Sequence, residues 1–329
     1  MSRRIGPFTV SSIGLGCMNL SHAYSAPPSA ETAETVIRTA IDRGVTHFDT
    51  AALYGFGANE ELLGRVLKKC RADVVLASKC GIWKDEKGVR VIDGRPATLV
   101  RACDDSLRRL QTDVIDLYYL HRMDAKVPIE ESVGALADLV QAGKIRTIGL
   151  SEVSAATLRR AYAVHPIAAI QSEYSLWTRN PEIAVLDACR ELDVAFVAFS
   201  PLARGFLCGA LRDPATELEP KDIRRAMPRF YAENYPRNLQ LLGEYGRIAD
   251  EAGCTWPQLA LAWLLAKAPH IVPIPGTRHP AHAIENIEAQ RVQLAPGVIA
   301  ALEALINQQT VVGQRYNEPT QREIDTEEF

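Results

Sequence analysis

Short aliphatic runs recur along the chain: IGLG (13–16), VTHFDT (45–50), VVLASK (74–79), VIDLYYLH (114–121), IRTIGLS (145–151), AAIQSE (168–173), VAFVAFS (194–200) and HIVPIPG (270–276). They are apolar on consecutive rather than alternate positions, which predicts strands covered on both faces, as in a parallel sheet. Between them lie stretches with helical spacing, such as AETVIRTAIDRG, NEELLGRVLKK, LVRACDDSLRRL and SVGALADLVQAGK. In NEELLGRVLKK, Leu62, Leu63, Val66 and Leu67 fall on one face, with Glu60, Glu61 and Lys68 expected to point away. Ahead of the first run, RRIGPFTVSS reads as a small hairpin turning at Gly6-Pro7.

Strand–helix alternation through eight units predicts an α/β fold, a closed (β/α)8 TIM barrel with an N-terminal β-hairpin and an extra C-terminal helix or tail. No Pro/Gly/Ser-rich linker divides the chain, so residues 1–329 are expected to form a single domain. The alternative is an open doubly wound sheet, which should carry GxGxxG between its first strand and helix. GLGCMN at 14–19 has two of those glycines and Asn19 in the third place, and GFGANE at 55–60 fails in the same way.

Composition narrows the picture. The formal charge is −3 with no basic stripe, which argues against nucleic acid. Seven cysteines (Cys17, Cys70, Cys80, Cys103, Cys189, Cys208 and Cys254) are an odd count without CxxC spacing, as in a reduced cytosolic protein. The seven histidines lack ligand-type spacing, so no metal is expected. The longest apolar block, LALAWLLAKA from Leu259, is too short to span a bilayer, and the N-terminus lacks a signal-length apolar run. A soluble cytoplasmic protein is the expectation.

Polar residues then fall at repeated places. Asp49 ends the second run, Lys79 the third, His121 the fourth, Ser151 the fifth and Ser200 the seventh, while Gln171 lies within the sixth. In a parallel barrel these ends share one rim, the face that carries chemistry. Taken alone, Asp49 reads as a turn or cap residue, Lys79 as a snorkelling side chain, His121 as a structural imidazole and Tyr54 as packing. Together they have a chemistry. Asp49 can pair with Lys79 and keep the ammonium charged, and Lys79 beside Tyr54 favours phenolate, lowering a pKa that starts near 10. Each unit is worth about 1.4 kcal/mol. His121 can hold a carbonyl oxygen.

At these residues the sequence resembles the aldo-keto reductases. FDTAALYG, ASKC and DLYYLH carry that family's Asp, Tyr, Lys and His in order, and GLSEVS, QSEYSLWTRN, FSPLARGFLCG and IPGTRHPAHAIEN extend the likeness over nearly the whole chain. GLGCMNLSHAY and MPRFYAEN resemble the branch of plant perakine-type and microbial pyridoxal-type reductases. The resemblance implies NADPH-dependent reduction of an aldehyde or ketone to the alcohol. Tyr54 would donate the proton, Lys79 would tune it, Asp49 would hold Lys79, and His121 would orient the carbonyl.

Ser151, Glu152 and Gln171 would address the nicotinamide carboxamide, and Phe199 would stack on its ring. The Gly16-Cys17-Met18 stretch would also meet the cofactor. Ser200, Pro201, Leu202, Arg204 and Gly205 would wrap the pyrophosphate. Gly276, Thr277, Arg278, His282, Glu285 and Asn286 would hold the adenosine end. That last stretch also fits phosphate unaided, since Arg278 precedes a helix start marked by Pro280.

Three departures stand out. Glu152 replaces an Asn, Phe199 replaces a Tyr, and His282 replaces an Arg toward the 2′-phosphate, so NADPH is preferred over NADH only moderately. Tyr24, Trp83, Trp177, Phe230 and Tyr231 are candidate substrate walls, and the segment from Ala210 to Tyr235 and the tail after Ile306 are candidate lids. The expected ligand is a small carbonyl compound, with no nucleic acid or membrane partner, and a monomer or weak homo-oligomer. Two rival readings are a Lys79 Schiff-base lyase and a cofactor-binding regulatory subunit without significant turnover.

Overall fold

The computed structural model describes residues 2–24, 26–84 and 89–329. Eight parallel strands follow one another in chain order: β1 (Leu15–Gly16), β2 (His47–Asp49), β3 (Val75–Cys80), β4 (Ile115–Leu120), β5 (Ile145–Ser151), β6 (Ile167–Glu173), β7 (Ala195–Phe199) and β8 (Ile271–Pro273). Each pairs with its sequence neighbours. The sheet closes where Gly14 and Gly16 donate N–H bonds to the carbonyls of Pro273 (3.0 Å) and Pro275 (3.2 Å). Every residue of β3, β4 and β6 is buried, as expected for strands between a filled interior and a helical jacket.

The jacket comprises α1 (Ala30–Asp42), α2 (Ala58–Leu67), α3 (Pro96–Leu110), α4 (Ile129–Gln141), α5 (Ala155–Val164), α6 (Val185–Glu191), α7 (Trp256–Lys267) and α8 (Pro280–Glu288). Local signals set their starts. The Ser29 side chain caps α1, Pro96 opens α3, and Thr255 with Gln258 forms a capping box on α7. One expectation for α2 is corrected. Glu60 does not point to solvent; it is buried, accepting from Ser78 Oγ (2.5 Å) and Arg109 Nε (2.6 Å). Its neighbour Leu63 is buried on the expected face. Pairing with Arg109 makes a buried carboxylate tolerable there.

The N-terminal hairpin (Ser2–Ile5 with Phe8–Ser11) packs Ile5 and Val10 against barrel-interior residues such as Val75, Ala77, Leu117 and Val197. Gly6 takes φ +51°, and a Cβ there would stand 3.0 Å from the Ala168 Cβ, so the turn into the barrel floor requires glycine. A second hairpin, Ile82–Lys84 with Arg90–Ile92, leaves the rim after β3; no period in the sequence marked it. After a helix at Pro296–Leu305 the tail returns over the rim, where Val153 bridges Asp325 and Asp325 N–H bonds the Glu152 carbonyl (3.0 Å). The Ala210–Tyr235 segment folds into short helical turns, among them Pro214–Glu217. None of the described helices is long and apolar enough to cross a membrane.

Candidate active site

The ends of the strands bring the polar residues together. Asp49 is the last residue of β2, and Lys79 lies two residues beyond Ala77, the β3 partner of Asp49, on the same inward face. Both are 1% exposed. The Lys79 ammonium donates to Asp49 Oδ1, to the Thr50 carbonyl (2.8 Å) and to the Tyr54 hydroxyl (3.4 Å). The second Asp49 oxygen accepts from Gln171 Nε2 (2.7 Å). Tyr54 sits in the turn after β2, its ring edge-on to His121 at 6.0 Å between centroids and stacked on His22 at 6.1 Å. Gly149 makes room beside this group, because a Cβ there would meet the Tyr119 ring at 2.3 Å.

The electrostatics correct one expectation. Burial depresses a lysine, yet Asp49 first and Tyr54 after it, through charge and hydrogen bonds together, more than offset it and hold the Lys79 pKa above its ordinary value. The ammonium is therefore charged. Burial pushes the Tyr54 phenol above its ordinary value; Lys79 pulls the other way but does not prevail. Tyr54 is thus a protonated phenol rather than one tuned downward, since desolvation of the phenolate outweighs one neighbouring cation. His121 is held well below the usual imidazole range, by burial first and then by Arg122 and Lys79. It is neutral near pH 7.

A cavity of about 1240 Å³ opens over this group, larger than the usual ~300–1,000 Å³ of a small-ligand site. Of the expected cofactor residues, Gly16, Met18, Asp49, Ser151, Gln171 and Phe199 line it, as do Ser200, Pro201, Leu202, Arg204 and Gly205. Gly276, Thr277, Arg278, His282, Glu285 and Asn286 complete its far end. Two residues do not join them. The Cys17 thiol is buried in the core, with its backbone N–H on the Asp49 carbonyl and its own carbonyl accepting from Asn59. Glu152 turns away through a left-handed backbone (φ 58°). Its carboxylate accepts from the Arg315 guanidinium and from the Glu173 N–H (3.0 Å), so it belongs to a buried ionic cluster rather than to the cavity wall.

That cluster was not legible in the sequence. Arg315 also bonds Glu173 (3.1 Å), and Arg204 bonds Glu173 (2.5 Å) and the Tyr316 hydroxyl (2.9 Å), tying the tail to the loop after β7. Among the expected aromatic walls only Tyr24 faces the cavity. Trp177 packs on Phe206 at 4.0 Å between ring centroids and meets Phe230 edge-on at 5.3 Å, Trp83 is 39% exposed on the second hairpin, and Tyr231 lies outside the lining. The walls near Tyr54 are instead Met18, His22, Leu53, Phe56 and Arg122. Met227 and Ile223 supply part of the cover from the expected lid, and Tyr316 and Thr320 part of it from the tail.

The far wall has the donor chemistry of a dinucleotide site. Ser200, Arg204, Thr277 and Arg278 line it, and α8 begins there with Pro280 and no acid in its first turn. Free N–H groups and positive potential at a helix start favour phosphate. Arg278 Nη1 bonds the carbonyls of Tyr24 (3.3 Å) and Ala26 (3.1 Å), bringing the loop after β1 against this end. NADPH fits this set of donors.

The family model described as Aldo/keto reductase family matches residues 12–307. The NADP(+) aldo-keto reductase yakc of Schizosaccharomyces pombe is 44% identical over 96% of this chain and 94% of its own length. Among solved structures, the glycerol dehydrogenase AKR11B4 from Gluconobacter oxydans superposes with a TM-score of 0.85 at 29% identity, covering 96% of this chain and 98% of that one. An aldo/keto reductase from Klebsiella pneumoniae in complex with NADP and acetate gives 0.73 at 30% identity, covering 96% and 98%. This chain belongs to the aldo/keto reductase family.

Proposed function

We propose that the protein reduces an aldehyde or ketone to the alcohol with NADPH, using Tyr54 as proton donor. One observation carries the assignment of residues: a charged, enclosed Lys79 held between the Asp49 carboxylate and the Tyr54 hydroxyl. NADPH when bound supplies the hydride. Tyr54 gives its proton to the carbonyl oxygen, and the phenolate left behind is stabilised by Lys79. At 3.4 Å and an effective dielectric near 20 that attraction is about 5 kcal/mol before Asp49 opposes it. A raised phenol pKa keeps the proton in place until the alkoxide develops and can take it. Neutral His121 holds the carbonyl oxygen through its ring N–H.

Ser151 and Gln171 take the nicotinamide carboxamide. Gln171 spends one amide hydrogen on Asp49 and keeps the other for the carboxamide oxygen. Arg204 and the Ser200–Gly205 turn take the pyrophosphate, and Arg278 with the start of α8 takes the 2′-phosphate. The NADP(+) dependence named for the Schizosaccharomyces pombe relative and the NADP complex of the Klebsiella structure support the cofactor. We further place the chain, as a single unit over 1–329, with the perakine-type and pyridoxal-type reductases. The two segments behind that likeness both reach the cavity, through Met18, His22 and Tyr24 and through Met227. A Schiff-base role for Lys79 is opposed by its charge, since an ammonium is no nucleophile.

The test is NADPH oxidation with aldehydes, diketones and pyridoxal, beside Tyr54→Phe. The variant should bind NADPH normally and lose carbonyl reduction by about 10²–10⁴-fold, the usual range for a general acid. Turnover undiminished in that variant removes Tyr54 from its role.

A further inference from the structure

We propose that the substrate carries a carboxylate a few bonds from its reacting carbonyl, and that Arg122 receives it. The proposal rests on the reductase reading and concerns the substrate end of the same cavity. Arg122 follows His121 directly and lines the cavity beside Tyr54. Its Nη1 donates to the His121 carbonyl (2.7 Å) and to Ser151 Oγ (3.3 Å). Its Nε is enclosed with no acceptor, and among the described residues no protein oxygen bonds Nη2 and no carboxylate pairs with the guanidinium. Nη1 is thus spent on positioning and Nε is enclosed, so Nη2 is the donor left over for a group in the cavity. A guanidinium N–H with no protein acceptor, on a cation with no protein anion, suits a carboxylate through a charge-assisted bond.

Neighbouring cations on the cavity wall contrast with it. Arg90 is paired with Glu323 (2.5 Å), Arg204 with Glu173 (2.5 Å) and Arg224 with Asp222 (2.7 Å). The acid nearest the reacting end, Asp49, is taken by Lys79 and Gln171. Nη1 on the His121 carbonyl sets the guanidinium beside the residue that holds the substrate carbonyl, on the same cavity wall as Tyr54 and so near a group attached close to the carbonyl. A partly enclosed guanidinium without an anion is costly to keep, and an anionic ligand relieves that cost. Holding the loop after β4 needs only Nη1, so that role does not explain the unbonded Nη2.

The experiment compares 4-oxobutanoate with its methyl ester, and 3-carboxybenzaldehyde with its methyl ester, in NADPH oxidation by wild type, Arg122→Met and Arg122→Lys. Wild type should favour each acid over its ester by about 10–100-fold in kcat/KM, the size expected of a charge-assisted hydrogen bond. Arg122→Met should bring that ratio to about one or below, Arg122→Lys should keep part of it, and added salt should reduce it in wild type. Using the ratio within one enzyme cancels any loss through His121 positioning. Equal kcat/KM for acid and ester in wild type, or a ratio that Arg122→Met leaves standing, overturns the assignment and leaves the reductase reading intact. No NADPH oxidation with these four aldehydes or with any neutral carbonyl overturns both.

Discussion

Replacing Asp49 by Asn removes the charge that keeps Lys79 ionised while leaving the site's shape nearly unchanged. The Lys79 side chain is fully enclosed, so its ammonium then has only the Thr50 carbonyl, the Tyr54 hydroxyl and one amide oxygen. A buried pair broken on one side costs about 3–5 kcal/mol. An independent bound agrees: shedding the proton of an ordinary lysine (pKa about 10.4) at pH 7 costs about 4.6 kcal/mol, at about 1.36 per unit. For 329 residues the unfolding entropy is about 0.7 kcal/mol per degree, so the melting temperature should fall by about 4–7 °C at pH 7.

The pH dependence identifies the cause. In the variant the folded lysine pKa lies below the unfolded one, the unfolded chain binds more protons, and stability therefore rises with pH. The deficit should shrink from pH 7 to pH 10, where about 0.5 kcal/mol remains. In wild type the folded pKa is raised, so this pair's contribution stays constant until pH climbs past the ordinary lysine value. Scanning calorimetry of both proteins at pH 7, 8.5 and 10 reads the effect. A deficit under 1 kcal/mol, or one that does not narrow with pH, refutes the claim that Asp49 is what keeps Lys79 charged.

Arg278→Ala should raise KM for NADPH by about 10–100-fold and leave KM for NADH nearly unchanged, as for loss of a charge-assisted phosphate contact; equal effects on both remove Arg278 from the 2′-phosphate. Gly149→Ala should lower urea-unfolding stability by about 1–3 kcal/mol, because its Cβ would meet the Tyr119 ring at 2.3–2.4 Å; an unchanged midpoint would mean the ring moves freely. Fully buried Glu173 is held down to about 2 by Arg204 and Arg315 against burial. Its contribution, about 3 kcal/mol, is present above pH 4.5 and disappears as pH falls toward 2, so Glu173→Gln should flatten that part of the acid-unfolding profile.

The barrel was legible because its strands lack alternation: consecutive apolar positions at Val75–Leu76–Ala77 or Leu117–Tyr118–Tyr119 suit only a doubly covered sheet. The gathering of Asp49, Lys79, His121 and Gln171 followed from strand ends sharing a rim. What escaped was anything set by contacts distant in sequence. Glu60 looked like a solvated helix residue, and only the approach of Arg109 from the next helix makes its burial tolerable. Glu152 looked like a wall residue until the tail brought Arg315 to it, some 160 positions later. The sign of the Tyr54 shift depended on depth of burial, which no local pattern encodes. Arg122 was visible in sequence only as one more arginine, since its unfilled donor is a fact about its surroundings.

The closure of the barrel has a mechanical consequence. Pro273 and Pro275 have no N–H to return, so the stitching between the first and last strands runs one way, through the amides of Gly14 and Gly16. The wall should leak first along this line, and deuterium should enter those two amides sooner than the amides of neighbouring staves. Gly16 and Gly276 stand on opposite lips of the same line and both face the cavity. A dinucleotide held by this cavity would act as a clasp across them, and its arrival should slow the exchange at Gly14 and Gly16 more than anywhere else on the sheet.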